Sequence, residues 1–208
     1  IKLTTSFLQN KNILFNNIFD IGCSDGTASI EVIKNLNYKN YFCLDKYLKF
    51  KIIKKNSLYY LTDDQNNVLM CENKYLYFYI DKYNLNKSPI ENIFSFFFPY
   101  KIYGNFEEDV ITINPEIYKY QNINFKNFDV FNQSMNTKAD LIIFFNLLNK
   151  FNTEKSKNLI RDFIKKYINK NGLIIIGENN KIEKSTIYKY SDRIEILKKI
   201  NNGSIIDL

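Results

Sequence analysis

The 208-residue chain has no histidine and no tryptophan, and it has only three cysteines, three prolines and six glycines. The missing histidine excludes several chemistries together: Ser–His and Cys–His nucleophile systems, histidine general bases and histidine-ligated zinc. Cys23, Cys43 and Cys71 show no paired spacing, which argues against a disulfide framework and a cysteine-built metal centre. No metal is expected. Unpaired thiols suit a reducing compartment, so a cytoplasmic location is the expectation. No apolar run approaches the roughly 20 residues of a membrane helix; Leu141–Leu148 is the longest candidate and is far too short. No signal-peptide pattern is present, and no membrane partner is expected. The chain opens on Ile1 rather than methionine, which is compatible with a longer natural N-terminus.

Apolar material is plentiful. The chain is 45% hydrophobic and carries 18 Phe and 16 Tyr, enough for a sizeable core in one domain of ordinary length. The 29 Lys and Arg against 22 Asp and Glu give a net charge of +7. A basic balance is one mark of nucleic-acid binding. Here the lysines are scattered among acids and read mostly as solvated surface. Nucleic acid is therefore admissible as a partner but not indicated.

The most informative stretch is Ile18-Phe19-Asp20-Ile21-Gly22-Cys23-Ser24-Asp25-Gly26. Ile18, Phe19 and Ile21 supply a short buried strand. Gly22 and Gly26 allow a tight turn with close backbone approach to a ligand. Thr27–Leu36 follows as a helix with Ala28, Ile30, Val32, Ile33 and Leu36 as apolar members. A helix starting there offers unpaired N–H groups and a positive dipole end. The third glycine of the dinucleotide-binding pattern is absent, and an acidic residue, Asp20, precedes the turn. A carboxylate there repels a pyrophosphate and attracts a cationic ligand. A second apolar run, Tyr41–Leu44, ends at Asp45, about 20 residues beyond the glycines, where a carboxylate suits ribose hydroxyls. Asp45 also reads as a cap for a helix starting at Lys46.

The run Asp-x-Gly-x-x-x-Gly, here Asp20, Gly22 and Gly26, resembles the first motif of class I S-adenosylmethionine-dependent methyltransferases, with Ser24 where a middle glycine is usual. A further pattern, Asp140, Leu141, Ile142, Phe144, Asn146, Leu148 and Phe151, resembles the fourth-strand region of enzymes that methylate glutamates of chemotaxis receptors. Together the likeness covers roughly residues 18–55 and 121–178 and omits that family's N-terminal helical substrate domain. The resemblance implies S-adenosyl-L-methionine as cofactor. It implies a glycine turn with Asp20, Gly22, Ser24 and Gly26 around the methionine and ribose, and Asp45 on the ribose. It implies Asp129 and the Val130 backbone on adenine, and Asn146 at the strand tip, where it either holds the acceptor or only bonds its loop. Asn146 is the one catalytic candidate; Glu178 and Tyr188 are weaker ones.

The fold expected is α/β: a Rossmann-like, mostly parallel sheet with helices on both faces, forming one domain over residues 1–208. An antiparallel insertion is expected over residues 56–120, read either as a substrate-selecting lid or as a stabilising decoration or dimer surface. Its strands are expected at Leu58–Leu61, Val68–Cys71, Tyr75–Ile80 and Val110–Ile113. Turns are expected at 63–67 and 72–74, and a helix at Ile90–Phe98. Phe94, Phe96, Phe97, Phe98 and Tyr100 read as core or interface. Beyond the insertion, strands are expected at Ile123–Phe125, Ala139–Leu148 and Leu173–Ile176. A helix is expected at Thr153–Ile168, capped by Thr153, with Leu159, Ile160, Phe163, Ile164, Tyr167 and Ile168 buried. Strands at Ile187–Tyr190, Ile194–Leu197 and Ser204–Ile206 close the sheet, and a short helix or arm lies within residues 1–17.

The expected activity is methyl transfer to a small-molecule or protein side-chain acceptor. That chemistry needs alignment and desolvation more than a protein nucleophile, so it tolerates the absence of histidine. The alternatives are a non-catalytic binding module on the same fold, with a homodimer as one arrangement, and an RNA methyltransferase, for which the fourth-strand tip lacks an Asn-Pro-Pro-Tyr signature.

Overall fold

The computed structural model describes residues 1–55, 57–63, 66–72, 77–79, 102, 106–148 and 154–204. The chain divides into two compact units, one of Ile1–Lys46 with Ile113–Leu208 and one of Tyr47–Thr112.

The first unit is built on a seven-stranded sheet. In chain order its elements are α1 (Lys2–Gln9), β1 (Leu14–Ile21), α2 (Thr27–Asn35) and β2 (Asn37–Asp45). After the second unit, which contributes β3 to β7, come a single 3-10 turn (Pro115–Lys119), β8 (Ile123–Asn127), β9 (Ala139–Phe145) and α3 (Glu154–Tyr167). β10 (Ile168–Asn180), β11 (Ile182–Tyr190) and β12 (Ile194–Ile200) complete it. The spatial order is β12-β11-β10-β9-β1-β2-β8. β8, β2, β1, β9 and β10 run parallel, and β11 and β12 add an antiparallel meander. This is the mostly parallel sheet expected, and its central strands are near-continuous apolar runs because both faces are covered.

Strand alternation sorts the side chains of β1 onto two faces. Phe19 and Ile21 join Ile142, Phe144, Phe163 and Ile164 in the main core under α3. Asp20 faces α2, where Ser29 meets it. Each fully buried Ile or Phe of this core contributes about 1.5–3 kcal/mol. α1 packs on α2 and β11. Its N-terminal N–H groups are capped from β11: the Glu183 carboxylate accepts from the backbone N–H of Leu3 at 2.8 Å and of Thr4 at 2.9 Å.

The second unit is an antiparallel sheet of order β6-β5-β4-β3-β7, with β3 Lys49–Lys55, β4 Leu58–Thr62, β5 Val68–Glu72, β6 Tyr77–Tyr79 and β7 Phe106–Ile111. Ile53, Tyr60, Val68, Cys71 and Ile102 form its core.

Several boundaries differ from the sequence reading. No helix starts at Lys46; Lys49–Lys55 is a strand, half-buried over most of its length and rich in lysine. The antiparallel sheet therefore begins before residue 56, and residues 113–119 belong with the first unit. β10 begins at Ile168, before Leu173, with a register shift between Ile168 and Leu173. Within α3, Leu159 is 41% exposed rather than buried, since it falls one position off the apolar stripe of Ile160, Phe163, Ile164 and Tyr167. Ser204 is not in a strand. The helix expected at Ile90–Phe98, the aromatic group Phe94, Phe96, Phe97, Phe98 and Tyr100, the 73–74 turn residues, the cap Thr153, Phe151, and residues 205–206 lie outside the described residues. No described helix is long and apolar enough to cross a membrane.

Candidate functional site

Four strands of the parallel sheet end side by side in the order β2, β1, β9, β10, and their carboxyl ends carry most of the residues singled out above. Between β1 and α2 the backbone turns through three left-handed residues: Gly22 at φ +73°, Ser24 at +53° and Gly26 at +78°. Ser24 is strained for a residue with a Cβ, and its position is secured by Asp45: the Ser24 N–H donates to Asp45 Oδ2 at 2.8 Å. Gly22 N–H donates to the Leu44 carbonyl at 2.7 Å. The glycine turn is thus held from the tip of β2 by one carboxylate and one carbonyl.

The same tip anchors the loop after β8. Phe128 N–H donates to the Asp45 carbonyl at 2.8 Å. Asp129 opens that loop and accepts from the Phe131 N–H at 3.0 Å and the Asn132 side-chain amide at 2.9 Å. Lys46 stands 3.9 Å from the Asp129 carboxylate. Val130 is half-buried and packs against the main core. So Asp45, the glycine turn, Asp129 and Val130 form one connected rim.

Asp20 stands apart from that rim. It is 4% exposed and lies beneath α2, accepting from the Ser29 hydroxyl at 2.6 Å and the Tyr41 hydroxyl at 2.6 Å. Burial raises its pKa above the usual carboxylate value, the two hydroxyls oppose that rise, and the neighbouring Asp45 charge adds to it. The Tyr41 hydroxyl is pushed well up by burial and by Asp20. Asp20 thereby ties β1, β2 and α2 together below the turn. Its partners Ser29 and Tyr41 were not read from the sequence, since an isolated Ser and Tyr carry no motif.

Asn146 also adopts a left-handed conformation, at φ +58°, just past β9. Its N–H donates to the Gly177 carbonyl at 2.9 Å, and its side-chain oxygen accepts from the Asn179 N–H at 2.7 Å. It therefore bonds the carboxyl end of β10 and remains solvent-exposed. Tyr188 is buried in the main core. Cys23 and Cys43 are buried; the hydrogen bond that the Cys23 thiol gives to Cys43, followed by burial, pushes the Cys23 thiol far above its usual range and keeps it protonated.

Two apolar side chains pack directly on the glycines. A Cβ at Gly22 would meet Leu147 Cδ1 at 2.9 Å, and one at Gly26 would meet Ile117 Cδ1 at 2.9 Å. Ile117 comes from the 3-10 turn that follows the second unit. Asn114, just before it, donates from its N–H to the Asp25 carbonyl at 2.7 Å and from its side chain to the Thr27 hydroxyl at 3.2 Å. Asp25 in turn accepts from the Thr27 N–H at 3.0 Å at the start of α2. Residues 113–119 act as a strap across the glycine turn, a role no local pattern announces. Among the described residues no group of His, Cys, Asp or Glu could hold a metal ion.

Residues 99–196 match the family described as CheR methyltransferase, SAM binding domain. No curated protein sequence matches the chain. Among solved structures, the N-methyltransferase NodS from Bradyrhizobium japonicum WM9 is similar at 11% identity and a TM-score of 0.46, over 86% of this chain and 66% of that one. Coclaurine N-methyltransferase is similar at 12% identity and a TM-score of 0.43, over 85% of this chain and 35% of that one. The plantazolicin methyltransferase BpumL, in complex with SAH, is similar at 15% identity and a TM-score of 0.40, over 86% and 45%. The chain spans less than two thirds of the length of these structures, and likenesses this distant say nothing about chemistry. Residues 99–196, just under half of the chain, are thus similar to a SAM-binding methyltransferase domain, and the first unit has the mostly parallel α/β sheet with a glycine turn after β1 that the sequence predicts.

Proposed function

We propose that the first unit binds S-adenosyl-L-methionine at the carboxyl ends of β2, β1 and β9, and that the chain transfers its methyl group to a small-molecule or protein side-chain acceptor. The observation that carries this reading is the bond from the Ser24 N–H to Asp45. It fixes a glycine turn against an acidic strand tip, and the CheR match over residues 99–196 agrees with it. The residues fit the cofactor chemically. A carboxylate beside a left-handed glycine turn suits a ligand with a sulfonium, an ammonium and a ribose diol. Only the flexible end of Leu147 lies over Gly22, so the backbone there is open to close approach once that side chain turns aside.

When bound, the cofactor supplies an activated methyl group, so the protein needs no nucleophile. What this chain's residues do is hold and exclude. Asp45 orients the ribose end while bracing the turn. The loop at Asp129 and Val130 closes the adenine end. Asp20 keeps α2 seated on the strands through Ser29 and Tyr41. A reducing, cytoplasmic setting is part of this reading, supported by three free and buried cysteines.

Calorimetric titration with S-adenosylmethionine and S-adenosylhomocysteine tests it. Micromolar binding that falls at least tenfold in Asp45→Ala supports the reading. A folded protein that binds neither ligand removes it and leaves a non-catalytic module on the same fold.

A further inference from the structure

The chain passes between its two units twice, once after Lys46 and once after Thr112. Both crossings are anchored on the same glycine turn. Asp45, two residues before Tyr47, accepts from the Ser24 N–H at 2.8 Å. Asn114, two residues after Thr112, donates from its N–H to the Asp25 carbonyl at 2.7 Å and from its side chain to the Thr27 hydroxyl at 3.2 Å. Ser24 and Asp25 are consecutive, so one short piece of backbone makes a hydrogen bond to each crossing. Two further contacts hold the return crossing to the turn and α2: Lys34 pairs with Glu116 at 3.0 Å, and Ile117 packs on Gly26.

On the second unit's side the crossings are joined to each other. The Leu48 carbonyl accepts from the Thr112 N–H at 3.3 Å and from the Thr112 hydroxyl at 3.2 Å. The crossings lead straight into β3 and β7, which pair antiparallel with Lys49 opposite Ile111 and Phe50 opposite Val110. Lys49 and Asp109 add an ion pair at 2.7 Å. A continuous series of hydrogen bonds and short covalent links therefore runs from the turn, through Asp45 and Asn114, to the β3·β7 ladder. Ordering one end of such a network lowers the cost of ordering the other. β12 lies outside it, at the far edge of the first sheet and four strands from β1.

We propose that the glycine turn and the β3·β7 ladder are thermodynamically coupled, so that a ligand filling the turn slows the opening of β3·β7. By linkage, anything that steadies the ladder tightens the turn's hold on its ligand to the same degree. The second unit is then a modulator of cofactor affinity rather than an independent decoration. The inference rests on the methyltransferase reading above for the identity of that ligand. Asn114 and Thr27 are positioning residues in this network, because their side-chain bond ties the return crossing to the start of α2.

Hydrogen exchange by mass spectrometry on the full chain tests it, with and without saturating S-adenosylhomocysteine, whose binding is first measured by calorimetry. β12 is the control for a global change in stability. Loading is expected to slow exchange in Lys49–Lys55 and Phe106–Ile111 by about threefold or more, with β12 unchanged. Asn114→Ala and Thr27→Val each remove the side-chain bond between the return crossing and α2 while keeping the Asn114 N–H bond to Asp25. Each is expected to bind the ligand yet lose at least half of the slowing, and either one suffices should the other fold poorly. If the wild type binds the ligand, unchanged exchange in the ladder, slowing shared equally by β12, or slowing undiminished in the variants would each overturn the inference and leave the cofactor site standing. If the wild type does not bind it, the methyltransferase reading falls and the ligand-free proteins decide the coupling. Exchange in Phe106–Ile111 that is faster by about twofold or more in Thr27→Val then upholds it, and equal rates overturn it.

Discussion

Asp20 and Asp45 are both acids at the ends of neighbouring strands, and burial separates their fates. Asp20 is sealed under α2, where its raised pKa means that the folded state holds the proton more tightly than the unfolded chain does. Its contribution to stability is therefore largest in acid and is lost as pH rises through the raised folded value. Asp20→Asn keeps the shape and removes the charge. Relative to this variant, the wild type is expected to weaken as pH rises and to converge with it below the ordinary carboxylate range; urea melts across pH 3–8, a range set by the ~3.9 of an unperturbed Asp, measure this. A difference that stays constant with pH would contradict it. At the turn itself, Gly22→Ala meets both a left-handed φ and the Leu147 side chain. It is expected to cost about 1–2 kcal/mol and to weaken S-adenosylhomocysteine binding, read by denaturant melts and calorimetry.

At the scale of elements, the strap of residues 113–119 and the capped helix α1 are the contacts with most to lose. Ile117 is fully buried on Gly26, so Ile117→Ala is expected to cost about 2–4 kcal/mol by leaving a cavity. It should also loosen S-adenosylhomocysteine affinity, because the strap presses on the turn proposed to bind it; affinity unchanged at temperatures where the variant is folded would show that the strap is only structural. For Glu183, burial pushes the pKa up, but the Thr4 hydroxyl and the Leu3 N–H outweigh it and the net shift is downward. Its stabilisation is thus present above the ordinary carboxylate value and fades as pH falls through the lowered one. Glu183→Gln is expected to lose about 1–2 kcal/mol at neutral pH and progressively less in acid, as seen in paired thermal melts. Elements also show where sequence patterns mislead. Lys49–Lys55 is a strand, but its sequence and burial show no clean period of two, so its lysines read as a charged helix start. β10 extends back to Ile168 because Asn171, at φ +65°, absorbs an irregularity that looks like a stop.

For the molecule as a whole, ligand binding and folding are linked. At a concentration 100 times its dissociation constant, S-adenosylhomocysteine is expected to stabilise the fold by about 2.7 kcal/mol. For a chain of this size that corresponds to a rise in melting temperature of about 5–10 °C. The rise should vanish in Asp45→Ala, and a shift that persists there would place the ligand elsewhere. Some of this molecule followed from the order of its residues alone. Apolar runs bounded by glycines and acids announce parallel strands with a glycine turn, because period and punctuation are local properties of the chain. That logic reached Gly22, Gly26, Asp45 and the central sheet. It did not reach the inward turn of Asp20 or the strap carrying Asn114 and Ile117. Those depend on which distant segments meet: Ser29 and Tyr41 around Asp20, and residues 113–119 on α2. Burial and pairing are decided by packing between elements far apart in sequence, and only the tertiary structure supplies that.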